Sequence, residues 1–122
     1  MDKQEIGALR AELRQFTGSE VAYVSPLFSR FRYTEGVYFL AERAGAYWLL
    51  DFIFSHQVIP AIKAERFQVW KIAVKEDYSA TLTVEDGDDN QVKQYRIDLT
   101  DFPLEEFTLW FTDRTLLLPS EY

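Results

Sequence analysis

The spacing of apolar residues changes near residue 66, and this change constrains the fold more than any other feature of the sequence. Before it, apolar residues recur every three or four positions, which is the spacing of one face of a helix. After it, they alternate with polar residues, most clearly over residues 78–85 and 95–99. The pattern therefore predicts one α+β domain over residues 1–122, with helices in the first half and a sheet in the second.

The first half of the chain begins with an amphipathic helix. Asp2 and Glu5 have the spacing of a capping box, and apolar residues recur at helical spacing as far as Phe16. Further on, Ser25 is followed by Pro26, which favours the first position of a helix because it has no N–H to leave unbonded. This pair predicts a short helical turn.

A second and longer helix is predicted from about Gly36 to about Gln57, behind an N-cap at Thr34. Gly45 interrupts its middle, and Pro60 is expected to end whatever follows. Apolar side chains occupy most sides of this helix, so either the sheet or a partner chain must cover it. A homodimer is one way to supply that partner.

The links between the predicted strands are short, and this favours antiparallel pairing, because parallel neighbours need crossovers of a dozen or more residues. Asp113 and Arg114 form a two-residue hairpin link. The predicted architecture is a roughly five-stranded antiparallel meander with the N-terminal helices packed on one face. The predicted strands cover residues 67–75, 78–85, 95–99, 107–112 and 115–118.

Composition excludes several classes of protein. The sequence has no cysteine, which excludes disulfides, thiolate zinc sites and thiol nucleophiles. Its most apolar stretch, residues 44–53, is too short to cross a bilayer of about 30 Å. The first residues carry acids and lack the apolar run of a signal peptide. We therefore expect a cytoplasmic protein that does not enter a membrane.

The net charge of −7 arises in the second half of the chain. Residues 1–75 hold ten basic and eight acidic residues, whereas residues 76–122 hold three basic and twelve acidic residues. Repulsion between acids and phosphates disfavours nucleic acid as a partner, whereas a basic protein would be attracted. A solvated acidic surface that maintains solubility is the simpler interpretation, and we favour it.

Asp51 is the first candidate for chemistry, because it lies in an apolar segment where an ionised carboxylate is costly unless it is paired. If helix and sheet enclose a pocket, Tyr47, Trp48, Trp70 and Asp51 would line it, and Asp51 could act as a general base. No second acid, lysine or nucleophile is spaced to work with Asp51. A structural hydrogen bond or an exposed edge of the helix is therefore the favoured explanation.

The other polar residues give no sign of a metal or cofactor site. His56 is the only histidine, so neither a metal cluster nor a catalytic triad is indicated. Residues 85–90 are rich in acids, but Gln91 and Ile97 stand where an EF-hand needs glycine and glutamate. A hairpin turn is favoured for this segment.

Two groups of charged residues are candidates for a partner surface. The acidic group is Asp86, Asp88 and Asp89. The basic group, Arg30 and Arg32, alternates with aromatic residues, as in some surfaces that bind single-stranded nucleic acid. Ion pairs between these arginines and the acidic half of the chain are favoured over nucleic-acid binding.

Three segments resemble an uncharacterised bacterial family, a domain of unknown function. They are AGAYWLLDFI at residues 44–53, FQVWKIAV at residues 67–74 and LWFTDRTLLLPSEY at residues 109–122. The last of these is the most distinctive. The resemblance implies a bacterial origin and cytoplasmic residence, and it transfers no catalytic residue, ligand or mechanism.

The sequence favours a non-enzymatic interaction or accessory protein, which forms a homodimer or binds another protein. One alternative is a small-molecule-binding domain or enzyme with a pocket around Asp51. Another is an acidic decoy that imitates nucleic acid, which requires the acids of residues 85–98 to form one continuous face.

Overall fold

The computed structural model describes residues 1–18 and 20–122, which form an α+β fold, and this confirms the predicted class. The helices are α1 (Lys3–Leu13), α2 (Glu35–Ala44), α3 (Tyr47–Ser55) and α4 (Pro60–Lys63), with 3₁₀ turns at His56–Val58 and Pro119–Glu121. The strands are β1 (Ala22–Val24), β2 (Arg32–Thr34), β3 (Phe67–Val74), β4 (Ala80–Glu85), β5 (Gln91–Ile97), β6 (Glu106–Thr112) and β7 (Thr115–Leu117).

The seven strands of the described residues form one mixed sheet in the order β1-β2-β7-β6-β3-β4-β5. β2 and β7 are parallel, and the other neighbouring pairs are antiparallel. The predicted five-stranded meander is therefore wrong in strand number and order, because β1 and β2 join the sheet and β6 pairs with β3. The five predicted strands do pair antiparallel with one another, and the one parallel pair is that of β2 with β7. β1 and β2 have only three residues each, too few to show alternation in the sequence. The β6–β7 hairpin lies between β2 and β3, where it joins both halves of the chain.

The predicted long helix is two helices, because the chain breaks between α2 and α3. Gly45 ends α2 in the left-handed conformation, with φ 60° and ψ 39°, which glycine adopts without a steric penalty. The break lets each helix direct its own apolar side into the core. The buried residues of the two helices are Gly36, Val37, Leu40, Ala41, Ala44, Leu49, Leu50, Ile53 and Phe54. The chain itself therefore covers most of the apolar surface for which the sequence suggested a partner.

Three local predictions are confirmed. Asp2 Oδ1 accepts the backbone N–H of Glu5 at 2.8 Å, in a complete capping box at the start of α1. The Thr34 hydroxyl accepts a backbone N–H of α2, as an N-cap does. Asp113 and Arg114 connect β6 to β7 with φ of 51° and 57°, which are the left-handed values of a type I′ turn.

Three other local predictions are wrong. α1 ends at Leu13 and does not reach Phe16. The hydroxyl of Ser25 accepts the N–H of Phe28 at 3.1 Å, as an N-cap does, but no helix follows it. Pro60 does not end a helix but begins α4, where its missing N–H leaves no hydrogen bond unmade.

A buried pair of amides links the helices to the centre of the sheet. Gln57 and Gln68 exchange hydrogen bonds of 2.9 Å and 2.8 Å between their side chains. Gln68 Oε1 also accepts the indole N–H of Trp70 at 2.9 Å, and its Nε2 donates to the carbonyl of Ile62. Because buried polar groups are costly unless they are bonded, this network fixes the position of β3 under the helices.

The C-terminal segment closes on the start of α2. The Glu121 carboxylate is only 7% exposed and accepts the Thr34 hydroxyl at 2.6 Å, the Gly36 N–H at 3.1 Å and the Leu118 N–H at 2.9 Å. A carboxylate at this position also complements the positive end of the helix dipole. A Cβ on Gly36 would come within 2.7 Å of Glu121 Oε1, so only glycine permits this approach.

We expect Gly36→Ala to lower the free energy of unfolding by about 1–3 kcal/mol, because the new methyl group displaces Glu121 and Leu118. Gly7→Ala, in α1, is the matched control, since its Cβ would have no neighbour within 4 Å. That control should raise stability by about 1 kcal/mol through helix propensity alone. Chemical denaturation measures the free energy of unfolding of both variants. An equal increase in both would contradict the close approach of Glu121 to position 36.

Candidate functional site

An open cleft of about 1330 Å³ lies at one end of the sheet. The start of α1 and Trp48 of α3 form one side, and the β3–β4 turn and the segment that follows β5 form the other. Its lining is largely apolar. Its apolar lining residues include Met1, Ile6, Trp48, Tyr78, Leu99 and Phe102.

The segment at residues 98–105 gives the cleft a fixed base. It runs from β5 to β6 past the ends of β4 and β3. The Thr100 N–H donates to the Tyr78 carbonyl at 2.8 Å, and the Val74 N–H donates to the Glu105 carbonyl at 2.8 Å. Phe102 and Leu104 are buried in the core beneath this segment. The cleft is therefore formed by bonded backbone and packed side chains.

Large apolar side chains at the cleft are exposed to solvent. Leu99 is 76% exposed, Tyr78 is 64% exposed and Met1 is 51% exposed. Single exposed apolar residues are common on protein surfaces, but these three line the same concavity. Grouped apolar exposure of this kind marks sites where proteins bind other molecules.

Tyr78 also has a strained backbone. The sequence places it in a strand, but it lies in the turn before β4, with φ of 65°. Its N–H donates to the Lys75 carbonyl, and the Lys75 N–H donates to the Ser79 carbonyl. The left-handed region costs a residue with a Cβ about 1–2 kcal/mol, so glycine or asparagine usually occupies such a turn position. Tyr78 therefore has a backbone conformation that is less stable for tyrosine than for glycine, and its exposed ring lies at the cleft.

Neighbouring Asp77 stabilises this turn. Its carboxylate accepts the hydroxyl of Ser79 at 2.6 Å and the Ser79 N–H at 3.0 Å. These two hydrogen bonds hold the pKa of Asp77 below its usual range. The turn is therefore fixed by local hydrogen bonds while Tyr78 remains exposed.

The charged residues of the cleft are mainly acidic. Glu76, Asp101 and Glu105 line it together with one base, Lys75. The acidic half of the chain thus contributes three of the four charged side chains of the lining. Their field favours a basic molecule over an anionic one.

The structure separates the four residues that the sequence predicted for a ligand pocket. Trp48 lines the cleft. Trp70 is 1% exposed in the core and is bonded to Gln68. Tyr47 and Asp51 lie one turn apart on α3, outside the lining of the cleft. The sequence could not show this division, because it depends on which side of α3 faces the end of the sheet.

The two predicted partner groups lie at opposite edges of the sheet. Asp86, Asp88 and Asp89 form the turn between β4 and β5, whereas Arg30 and Arg32 lie in and before β2. The Asp86 carboxylate accepts backbone N–H groups within its own turn, which holds the pKa of Asp86 below its usual range. Neither arginine takes part in the ion pairs of the described residues, which join Arg43 to Glu12, Lys71 to Glu85 and Arg96 to Asp98.

His56 packs against aromatic rings. Its ring stacks on Phe52 with the centroids 3.9 Å apart, and it meets the ring of Tyr95 at 4.8 Å. Its Nδ1 lies 2.7 Å from the Phe52 carbonyl. Residues 1–18 and 20–122 bring together no group of three or more histidine, aspartate or glutamate side chains suited to a metal ion.

A second cluster, which sequence reasoning missed, combines phenols with carboxylates. The rings of Tyr23 and Tyr38 stack with their centroids 4.6 Å apart, and the rings of Tyr23 and Tyr33 stack at 5.7 Å. The Tyr47 hydroxyl donates to Glu42 Oε1 at 2.6 Å. We call this set the phenol–carboxylate cluster. Its members are Tyr23, Tyr33, Tyr38, Tyr47 and Glu42.

Burial raises the pKa values of two phenols of this cluster and of the Asp51 carboxyl, which lies one turn after Tyr47 on α3. Burial raises the pKa of Tyr33, and Tyr38, Tyr23, Glu42 and Asp51 raise it further. Burial and the hydrogen bond to Glu42 raise the pKa of Tyr47. Burial also raises the pKa of the Asp51 carboxyl. Burial is the largest cause of each shift, so the ionised form of each group is disfavoured.

The fold defines a small α+β protein in which helices cover one face of a mixed sheet and an open cleft lies at the end of that sheet. Residues 7–122 match a family described as a family of unknown function (DUF6876), and the chain belongs to that family. No curated protein and no solved structure matches the chain. Across the described residues, no helix has both the length and the apolar character needed to cross a membrane.

We expect Asp51→Asn to stabilise the protein at neutral pH. Because burial raises the pKa of Asp51 above its ordinary value of 3.8, the folded chain holds the proton more tightly than the unfolded chain does. Ionisation of Asp51 therefore opposes folding, and its effect grows as the pH rises from 3.8 through the raised pKa. Thermal unfolding from about pH 3 to about pH 8 measures the effect. The variant should be more stable than the wild type at neutral pH, and this difference should disappear in acid.

Asp86→Asn should change the stability of the protein in the opposite direction. Hydrogen bonds from Asn90 and Asp88 lower the pKa of Asp86, so its ionised form favours folding above pH 3.8. This variant should be less stable than the wild type at neutral pH, and the difference should vanish as the pH falls through the lowered pKa. Higher stability of Asp86→Asn at neutral pH, or lower stability of Asp51→Asn, would contradict the directions of the two pKa shifts.

Proposed function

We propose that this protein is a non-enzymatic protein-interaction domain whose cleft binds an apolar segment of a partner, flanked by basic residues. The observation that carries the proposal is Tyr78, which combines a left-handed backbone with an exposed ring at the cleft. Strain of this kind persists where a residue serves something other than stability. The neighbouring Leu99, which is also exposed, extends the apolar surface that a partner can cover.

The chemistry of the partner follows from the lining of the cleft. Apolar side chains would pack on Trp48, Tyr78 and Leu99, and burial of this area favours association. Lysine or arginine residues beside them would approach Glu76, Asp101 and Glu105. A nucleic acid would meet the same carboxylates with repulsion.

A different protein is a better occupant than a second copy of this chain. In a two-fold contact the same patch meets itself, so the acidic residues of one cleft would face those of the other. The helices α2 and α3, whose apolar character suggested a homodimer, bury most of that surface in their own core. Charge and burial therefore both favour a heterologous partner.

The other two hypotheses have less support. The pocket proposed around Asp51 requires Trp70, which is buried and bonded to Gln68. The acidic decoy requires one continuous face, but Asp86 and Asp98 lie at opposite ends of the β4–β5 pair, in which Glu85 pairs with Gln91 and Ala80 pairs with Ile97. The protein-interaction function accounts for the exposed residues without either requirement.

Selection of peptides from a displayed library against the purified protein tests this function. We expect the enriched peptides to have an apolar core with lysine or arginine on at least one side. Fluorescence anisotropy then gives the affinity of one selected peptide for each variant. Enrichment of acidic peptides, or no enrichment at all, would count against the proposal.

Tyr78→Gly should separate stability from binding. Relief of the backbone strain should raise the free energy of unfolding by about 1 kcal/mol. Loss of the exposed ring should weaken binding of the selected peptide about tenfold, which corresponds to roughly 1.4 kcal/mol. Thermal unfolding and anisotropy measure the two effects on the same preparation.

Asp89→Gly is the matched control, because Asp89 has the same φ of 65° in the distant β4–β5 turn. It should leave the affinity for the selected peptide unchanged and should not lower stability. If Tyr78→Gly binds the peptide as tightly as Asp89→Gly does, Tyr78 is not part of the binding surface.

A further inference from the structure

The segment between β5 and β6, at the base of the cleft, has the alternating burial of a strand. Thr100, Phe102 and Leu104 are 8%, 4% and 1% exposed. Between them, Leu99 is 76% exposed and Asp101 is also exposed. Such alternation is typical of an extended backbone. The segment nevertheless belongs to no strand of the described residues, because it passes the ends of β4 and β3.

One lateral side of this extended segment is bonded to the turn before β4. The Thr100 N–H donates to the Tyr78 carbonyl at 2.8 Å. In an extended chain, the N–H and C=O groups of successive residues point to opposite lateral sides. Those of Leu99 and Asp101 therefore point away from Tyr78. Among residues 1–18 and 20–122, they have no hydrogen-bond partner.

We propose that the partner segment binds the cleft as an extended strand whose backbone pairs with Leu99 and Asp101. This binding mode rests on the proposed function and specifies the conformation of the peptide that the cleft accepts. In an antiparallel pair, every second residue exchanges two hydrogen bonds with the residue opposite. Leu99 and Asp101 lie two positions apart, so both can do so with one added strand, as when a peptide extends a sheet edge.

Pro103 limits the pairing to a short stretch. It is the next residue on the same lateral side as Leu99 and Asp101, and it has no N–H to donate. Proline at an open edge also prevents long strands from pairing there indiscriminately. The two backbone positions therefore contribute affinity, whereas the exposed side chains of Leu99 and Tyr78 contribute selectivity.

The sequences of bound peptides reveal their conformation. An extended peptide directs every second side chain to the same side, so apolar residues at positions i and i+2 would pack on Leu99 and Tyr78. A helical peptide would instead carry them at i, i+3 and i+4. We expect the displayed library to enrich alternate apolar residues. Enrichment at helical spacing would refute the extended strand and leave the proposed function in place.

Backbone methylation of one library-selected peptide tests the hydrogen bonds without altering the protein. Every second N–H of an extended peptide points at the segment, so methyl groups at those positions block the pairing. We expect N-methylation to weaken binding at least about tenfold at the paired positions and less than about twofold at the positions between them. Fluorescence anisotropy measures each dissociation constant. Equal effects at successive positions would contradict the pairing.

Two substitutions of Asp101 separate its N–H from its carboxylate. Asp101→Ala removes the charge and keeps the N–H, whereas Asp101→Pro removes both. Because this N–H has no partner in the described part of the chain, proline leaves no internal hydrogen bond unmade. Asp101→Pro should bind the selected peptide about fivefold more weakly than Asp101→Ala does. Equal affinity of the two variants, with thermal unfolding showing both to be folded, would argue against the backbone contact.

Amide hydrogen exchange in the wild-type protein requires no substitution at all. The N–H groups of Leu99 and Asp101 should exchange at least about tenfold more slowly when the selected peptide is bound. Gly87, in the distant β4–β5 turn, is the control, since its N–H also lacks a partner within the described residues and should not change. If no library peptide binds, the proposed function fails together with the extended strand. If a peptide binds and neither amide slows, only the extended strand fails.

Discussion

The position of the last strand determines how the two halves of the chain form one fold. β7 pairs with β6 on one side and with β2 on the other, so the β6–β7 hairpin joins the N-terminal strands to the sheet. Immediately after β7, Glu121 turns back onto the start of α2 and accepts hydrogen bonds from Thr34 and Gly36. The helices are thereby fixed above the sheet at the place where β2 leads into α2. The core between α2, α3 and β3, including the Gln57–Gln68 amide pair, depends on that arrangement.

The cleft results from the same topology at the other side of the sheet. Because β6 pairs with β3 and not with β5, the chain must pass the ends of β4 and β3 before β6 begins. The segment that does so carries Leu99 outward and Phe102 inward, which gives an apolar surface on a packed base. Tyr78 lies beside it in a conformation that glycine would adopt at lower cost. The strained backbone of Tyr78 thus lies where the surface is apolar and concave.

Periodicity in the sequence was enough to predict the regular parts of the fold. β3 and β4 alternate clearly, and the capping box, the Thr34 N-cap and the type I′ hairpin link depend only on neighbouring residues. β5 was predicted only over residues 95–99, whereas it spans Gln91–Ile97, because its first residues do not alternate. The order of the strands was not predictable in this way. β1 and β2 are too short to carry a pattern, and their pairing with β7 depends on contacts between distant parts of the chain. The sequence shows a glycine at position 45, but it does not show that this residue ends α2 and changes the direction of the chain before α3.

The candidate sites were less predictable than the fold, for a physical reason. The alternating pattern continues through Tyr78, so the sequence gives no sign that this residue has a positive φ. Tyr23, Tyr33, Tyr38 and Tyr47 are dispersed along the chain, and only the β1–β2 hairpin and the break between α2 and α3 bring them together. The sequence singled out Asp51 because it lies in an apolar segment, and burial raises the pKa of its carboxyl, but the sequence could not name its neighbours.

We propose that partners bind at the end of the sheet that is bounded by Trp48, Tyr78 and Leu99. The most direct measurement is a map of amide and indole chemical shifts in the wild-type protein as a library-selected peptide is added. We expect the largest changes in residues 76–79, in residues 98–105 and at the indole N–H of Trp48. Changes confined to the β5 edge or to the β1–β2 hairpin, with this end of the sheet unaffected, would contradict it.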